Sequence, residues 1–250
     1  MTKTLGLIGS GNIGSAIARL AVAADLNVVL SNSRNPETLA DLVAELGDHA
    51  RAATPAEAAQ AGDLVVATVP LKAYQQLPAA ALAGKTVIDT MNYYPEYARI
   101  AELETTELTS SALVQRHLAG SHVVKAFNNI DYHRLFTLAR AAGSADRSAL
   151  PIAGDDETAK ARVARLLDTL GYDTVDIGAL ADSWRSQPGT PCYVQPYLAA
   201  RPDQEMSQEE AHRWFLETPG VAVPAGRVQE LTDTAARVAA GDARAALVRG

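Results

Sequence analysis

Cysteine is nearly absent: Cys192 stands alone in 250 residues. One thiol builds neither an intrachain disulfide nor a thiolate metal site, so a reducing, cytoplasmic setting is expected, with Cys192 as a small core residue. Basic runs are missing as well. Lys and Arg number 22 against 29 Asp and Glu, a net charge of -7, which argues against nucleic acid or an anionic membrane as partner. No apolar run nears the roughly 20 residues that span a bilayer, and Met1-Thr2-Lys3-Thr4 leads straight into a strand pattern, so neither a membrane span nor a signal peptide is expected. The 5 histidines never fall at a ligand spacing such as HxxxH, and no metal is expected. Ser/His/Asp and Tyr/Lys catalytic constellations are also missing.

What is present is alternation. Hydrophobic residues make up 48% of the chain, enough for a sizeable core. Short apolar runs at Leu5–Ile8, Asn27–Leu30, Asp63–Val69, Lys85–Thr90, Ser121–Phe127, Leu150–Ala153 and Tyr172–Ile177 alternate with segments of helical spacing. That rhythm predicts an α/β fold with a doubly wound, Rossmann-type, mostly parallel sheet over residues 1–178. Expected helices include Ile13–Leu26, one starting at Pro36, one starting near Thr54-Pro55, a long weakly amphipathic one through Leu103, Leu108, Leu113 and Leu118, and one capped by Asp155 and Asp156. Beyond Gly178 the turn-rich stretch Ser186–Cys192 breaks the rhythm. Residues 179–250 are expected to form a smaller, mostly helical appendage with helices at Ser207–Glu217 and Val228–Val248. There Trp214 and Phe215 serve docking or line a cleft, and a homodimer is the expected assembly.

The first βα turn reads Gly9-Ser10-Gly11-Asn12-Ile13-Gly14. In this strand-to-helix context Gly9 permits a tight turn, Gly11 a close approach to a pyrophosphate, and Gly14 close packing of helix on strand. The phosphates then face the helix N-terminus. Seventeen positions after Gly14 comes Ser31-Asn32-Ser33-Arg34, where NAD-preferring sites carry a carboxylate. Small neutral donors and a guanidinium predict a cradle for a ribose 2′-phosphate, hence NADP(H). Val69, Pro70 and Lys72 follow a strand at its carboxyl end, near the expected nicotinamide half. Asn92 in the loop Met91–Pro95, and Asn128 after the next strand, reach the same rim. Lys125, on an apolar strand, calls for a partner or a function.

Together GLIGSGNIGSAIA, SNSR, TVP, VKAFN, AGDDETAK and DIGAL resemble the coenzyme F420-dependent NADP oxidoreductase family over about Lys3 to Trp184. The resemblance implies that Gly9–Gly14 bind pyrophosphate, that Ser31, Ser33 and Arg34 bind the 2′-phosphate, and that Val69 and Pro70 lie near the nicotinamide, with Asn128 on the substrate side. It implies hydride transfer between NADP(H) and the deazaflavin F420, a reaction that needs alignment and water exclusion more than acid/base machinery. Imine, pyrroline-carboxylate and β-hydroxyacid reductases and metalloreductase domains share similar N-terminal halves. One alternative is therefore reduction of a small imine or carbonyl, with Lys125, Asn128, His133 or Tyr93 supplying a proton. Another is a non-catalytic NADP(H)-binding redox sensor.

Overall fold

The computed structural model describes residues 3–105, 107–202 and 205–237. Its strands are β1 Thr4–Ile8, β2 Asn27–Ser31, β3 Ala50–Ala52, β4 Leu64–Ala67, β5 Thr86–Asp89, β6 His122–Lys125, β7 Ala149–Gly154 and β8 Asp173–Asp176. They form one 8-stranded sheet in the order β3-β2-β1-β4-β5-β6-β7-β8. Pairs from β3 through β6 are parallel, β7 runs antiparallel to β6, and β8 is parallel to β7. The helices are α1 Asn12–Ala23, α2 Ala40–Leu46, α3 Pro55–Ala61, α4 Ala79–Leu82, α5 Ser110–His117, α6 Tyr132–Thr137, α7 Glu157–Thr169, α8 Gln208–Glu217 and α9 Ala225–Asp233. No helix among the described residues is long and apolar enough to cross a membrane.

The sheet is covered on both faces, and the sequence alternation shows it. Leu5, Leu7, Leu64 and Val66 enter one core cluster with α1 and α7, whereas Ile8, Val65 and Ala67 enter a second with Leu82, Leu113 and Val114. Neighbouring side chains of a strand point to opposite faces, so a strand apolar at every position must be buried on both. Chain direction reverses its progress between β1 and β4, and the crevice beyond their carboxyl ends is where such sheets bind ligands.

Several elements differ from expectation. Strand β3, Ala-Arg-Ala at the sheet edge, is too short and too mixed to show a periodic signal. The long helix through Leu103 to Leu118 is instead a 3-10 turn at Ala101–Leu103 followed by the short α5. Thr109 breaks it: its extended backbone starts α5 afresh, and its hydroxyl accepts from Ala112 N and donates to Leu180 O. Asp156 caps α7 through Ala159 N at 2.7 Å, but Asp155 accepts from Leu180 N at 2.9 Å and ties down the later chain. The final expected helix, Val228–Val248, is instead α9, which begins at Ala225 and ends at Asp233; the part of the expectation from residue 238 lies outside the described residues.

After Gly178 the chain returns to the first core cluster. Cys192, Tyr197, Val223, Val228 and Leu231 are buried there with Leu150 and Ile152. Burial pushes the Cys192 thiol up to about 12, so it stays protonated. Helix α8 opens with the capping box of Ser207 and Glu210, and its last turn is held by the fully buried Arg134, which donates to Phe215 O and Thr218 O. The Phe215 ring lies 4.4 Å from that guanidinium, so Phe215 docks α8 onto α6.

Candidate functional site

The loop Gly9–Gly14 is shaped by what its glycines touch. Gly9 has φ +109, and a Cβ there would sit 2.3 Å from Thr68 O. At Gly14 a Cβ would meet Gly9 O at 2.2 Å. Turn and packing thus exclude any side chain at both positions. Gly11 differs: nothing lies within 4 Å of its added Cβ, so the space above it is open to a ligand. Gly11 is also the N-cap of α1, with no side-chain capping bond and no acidic residue in the first turn. The leading N–H groups of a 12-residue helix are therefore available to an anion, and the residues present fit a pyrophosphate. Ser10 steadies the loop by donating to Ser31 O at 3.0 Å.

At the end of β2 the four polar residues divide. Ser31 is fully buried and donates to Leu7 O at 2.8 Å. Its hydroxyl is used inside the sheet, which corrects its expected role as a phosphate donor: β2 extends to Ser31, and the strand register turns this side chain inward. Asn32 accepts from Arg34 N at 2.9 Å and donates to Thr38 Oγ1 at 2.8 Å, which shapes the turn. Ser33 and Arg34 are left exposed on that turn.

At the β1/β4 crevice lies a cavity of about 630 Å³, lined by Gly11–Ile13, by the chain from Thr68 to Lys72 and by the chain from Thr90 to Tyr94. Val69, Pro70, Lys72 and Asn92 all line it, as expected from their strand-end positions. Tyr93, Tyr94, Tyr97, Ala98 and Ile100 complete the wall, and Lys72 is the only charged residue in the lining among the described residues. Tyr93 donates to the Glu104 carboxylate and accepts from Ile100 N at 3.1 Å. Burial, with Glu104 beside it, raises its pKa above the ordinary tyrosine value. Tyr97 is 78% exposed, with its ring edge-on to Tyr94 at 5.7 Å. The Tyr94 hydroxyl is hydrogen-bonded to that of Tyr193.

Of the four expected proton donors, Tyr93 lines the cavity and the other three lie elsewhere. Lys125, 2% exposed, contacts Asp89 at 3.0 Å and donates to Met91 O at 2.5 Å. Asp89 also accepts from Met91 N at 2.8 Å and Ser111 Oγ at 2.7 Å. This pair clamps residue 91 from both sides beneath the cavity. Asn128 exchanges hydrogen bonds with Asn92 and donates to Ser186 O at 2.9 Å, so it positions Asn92 rather than lining the cavity. His133 sits on α6 against the Phe215 ring at 5.9 Å, outside the lining. Of the lining residues that sequence reasoning did not single out, Tyr94 and Tyr97 carried a signal, being aromatic side chains at a strand end in a chain with only 5% aromatics.

Strand order, glycine contacts and the uncapped helix define the class: a Rossmann-type dinucleotide-binding domain. Residues 4–93 match the sequence model of the family described as NADP oxidoreductase coenzyme F420-dependent. Among curated proteins, the chain is similar to the metalloreductase STEAP3 of Rattus norvegicus, 29% identical over 181 residues, covering 72% of this chain and 34% of that protein. The chain spans about a third to a half of the length of the curated relatives it matches (34% and 48%). Among solved structures it resembles the hypothetical protein SMa0349 of Sinorhizobium meliloti, with TM-score 0.66, 29% identity, and coverage of 77% of this chain and 93% of that one. A protein of Arthrobacter sp. FB24 provisionally described as an F420-dependent NADP reductase gives TM-score 0.62 at 24% identity, with coverage of 73% and 87%, and shares the fold.

Proposed function

We propose that the protein moves a hydride between NADP(H) and a flat conjugated acceptor, the deazaflavin coenzyme F420. One observation carries this reading: a single cavity at the switch point is lined both by the open glycine loop and by three tyrosines. Gly11, Asn12 and Ile13 hold the pyrophosphate through backbone N–H groups. Ser33 and Arg34 hold the 2′-phosphate, Arg34 as the charged partner. NADPH bound there supplies the hydride. Val69, Pro70 and Asn92 orient its reactive end, while Tyr93, Tyr94 and Tyr97 offer ring faces to a planar acceptor and exclude water. Mixing the protein with NADPH and F420 and following the loss of deazaflavin absorbance tests this directly. Turnover with NADPH well above that with NADH is expected, and bound NADPH that never reduces F420 refutes the acceptor.

A second reading has its own support. Lys72 is the only charge lining the cavity among the described residues, little compensation for an anionic acceptor. Reduction of a small neutral imine or ketone fits that scarcity, and NADPH oxidation in the presence of 2-methyl-1-pyrroline or cyclohexanone tests it.

A further inference from the structure

Two-electron reduction of a C=N, C=O or conjugated ring takes up one hydride and one proton, and the hydride reading leaves the proton without a source. Among the cavity tyrosines, the Tyr93 hydroxyl is held between Glu104 and Ile100 N. Tyr97 is largely in solvent. Tyr94 is different. Its hydroxyl meets only the Tyr193 hydroxyl, and neither oxygen has another partner among the described residues. Two phenols bring two protons to a bond that uses one. When Tyr193 donates to Tyr94, the Tyr94 proton is left for a group in the cavity that Tyr94 lines.

The second half of the pair comes from 99 residues away, on the segment after Gly178, and the backbone there is strained. Val194 has φ 56 and ψ -53, and Gln195 N donates to Tyr193 O at 2.6 Å. That is a γ-turn of the rare positive-φ kind, with a β-branched residue at its centre. Such strain persists only where surrounding contacts hold it. Here Asn129, fully buried, supplies them: its carbonyl accepts from Val194 N at 2.8 Å and its amide donates to Cys192 O at 3.1 Å. The turn fixes Tyr193 against Tyr94. Burial first, then the neighbouring Tyr94 and the charge of Asp131, raise the Tyr193 pKa and keep its proton in place at ordinary pH.

We propose that the Tyr94–Tyr193 pair is the proton-delivering device of this site: Tyr94 touches the acceptor and Tyr193 resupplies it. This rests on the hydride-transfer reading above. As the acceptor carbon takes a hydride, with both electrons, from the reduced nicotinamide, its nitrogen or oxygen takes the proton from Tyr94 Oη. Tyr94 recovers a proton from Tyr193, and Tyr193 from water. Tyr94 is the catalytic residue and Tyr193 acts through it.

The test compares wild type, Tyr94→Phe and Tyr193→Phe with NADPH and two probe acceptors, F420 and 2-methyl-1-pyrroline. Dissociation constants of NADPH, and of oxidised F420 in the presence of NADP⁺, are read by fluorescence alongside turnover. Tyr94→Phe is expected to leave NADPH affinity unchanged and weaken F420 about 2- to 13-fold, one neutral hydrogen bond. It should lower kcat by about 10²-fold or more, the usual contribution of a general acid. Tyr193→Phe is expected to keep F420 affinity within twofold, lower kcat by a smaller factor and change the solvent deuterium isotope effect, which a merely structural tie would not alter. An active wild type whose Tyr94→Phe form keeps both kcat and F420 affinity overturns the pair alone. A wild type that binds NADPH and reduces neither probe overturns the hydride reading and the pair with it. Activity with the pyrroline only, lost in Tyr94→Phe, overturns the F420 acceptor and supports the pair.

Discussion

Replacing Lys125 by methionine separates a structural lysine from a catalytic one. The ammonium lies 3.0 Å from the Asp89 carboxylate, with 2% and 0% of the two side chains exposed. At that distance and an effective dielectric of about 20, the attraction is worth about 5 kcal/mol. Asp89 keeps two neutral donors, Met91 N and Ser111 Oγ, which soften the loss, while Met91 O loses its partner. A net destabilisation of about 3 to 5 kcal/mol is expected, as for a buried pair broken on one side. For a chain of this size that is a fall in Tm on the order of 10 °C. The double variant Asp89→Asn/Lys125→Met removes the stranded charge and keeps an acceptor for Met91 N, so it should recover about 2 kcal/mol or more. Urea unfolding followed through Trp184 and Trp214 gives the midpoint and slope for each form. A Lys125→Met protein with an unchanged midpoint and abolished turnover would refute this reasoning and restore Lys125 as a proton donor. A double variant no more stable than the single would show that the charge itself was not the source of the loss.

Arg34→Ala should weaken NADPH by about 1 to 3 kcal/mol, the value of a charged hydrogen bond, and leave NADH nearly unaffected; equal loss for both in isothermal titration calorimetry would make Arg34 structural. Gly14→Ala places a Cβ 2.2 Å from Gly9 O, between two backbone segments that cannot yield cheaply. It should cost about 1 to 3 kcal/mol in urea unfolding and abolish NADPH binding, and an unperturbed variant would mean that the loop is looser than its contacts imply. Asp63 accepts from Lys3 N at 2.9 Å and Thr4 N at 3.1 Å, and the Lys3 bond above all holds its pKa below the ordinary carboxylate value. A carboxylate depressed in the folded state stabilises it above the unfolded pKa and loses that contribution as pH falls through the folded one. Asp63→Asn should therefore be less stable than wild type at pH 7, with the gap closing in strong acid, and a gap constant with pH would count against this.

The parts of the fold legible in the sequence were those in which one local cause suffices. A strand buried on both faces must be apolar throughout, so Leu64–Ala67 could be recognised without its neighbours. The three glycines could be assigned separate tasks because a turn, a close approach and an open face each need the missing Cβ. Ser31 escapes such a reading because composition alone does not specify which way a side chain points at a strand end. A one-residue difference in where β2 stops decides between a ligand donor and a bond to Leu7 O. The helix expected through Leu103 to Leu118 failed for a related reason: its apolar spacing was real, but Thr109 spends its hydroxyl on a new cap and on Leu180, far along the chain.

The candidate site repeats that division and shows what the segment after Gly178 contributes. The residues proposed to recognise the nucleotide, 9–14 and 33–34, lie within two successive βα units and can be found by spacing. The proposed acceptor side is a strand-end loop, Met91–Tyr94, that is braced by Lys125 and Asn128 and met by Tyr193 from the segment after Gly178. No periodicity links Tyr94 to Tyr193. Their meeting depends on Asn129 holding a strained turn at Val194, on Ala149 N reaching Val223 O, and on Arg134 securing α8. These are long-range bonds, invisible to any window along the sequence. The returning segment thus brings the second phenol to Tyr94 while burying Tyr197, Val223, Val228 and Leu231 in the first core cluster, so the pair and the packing of the sheet come from the same stretch of chain.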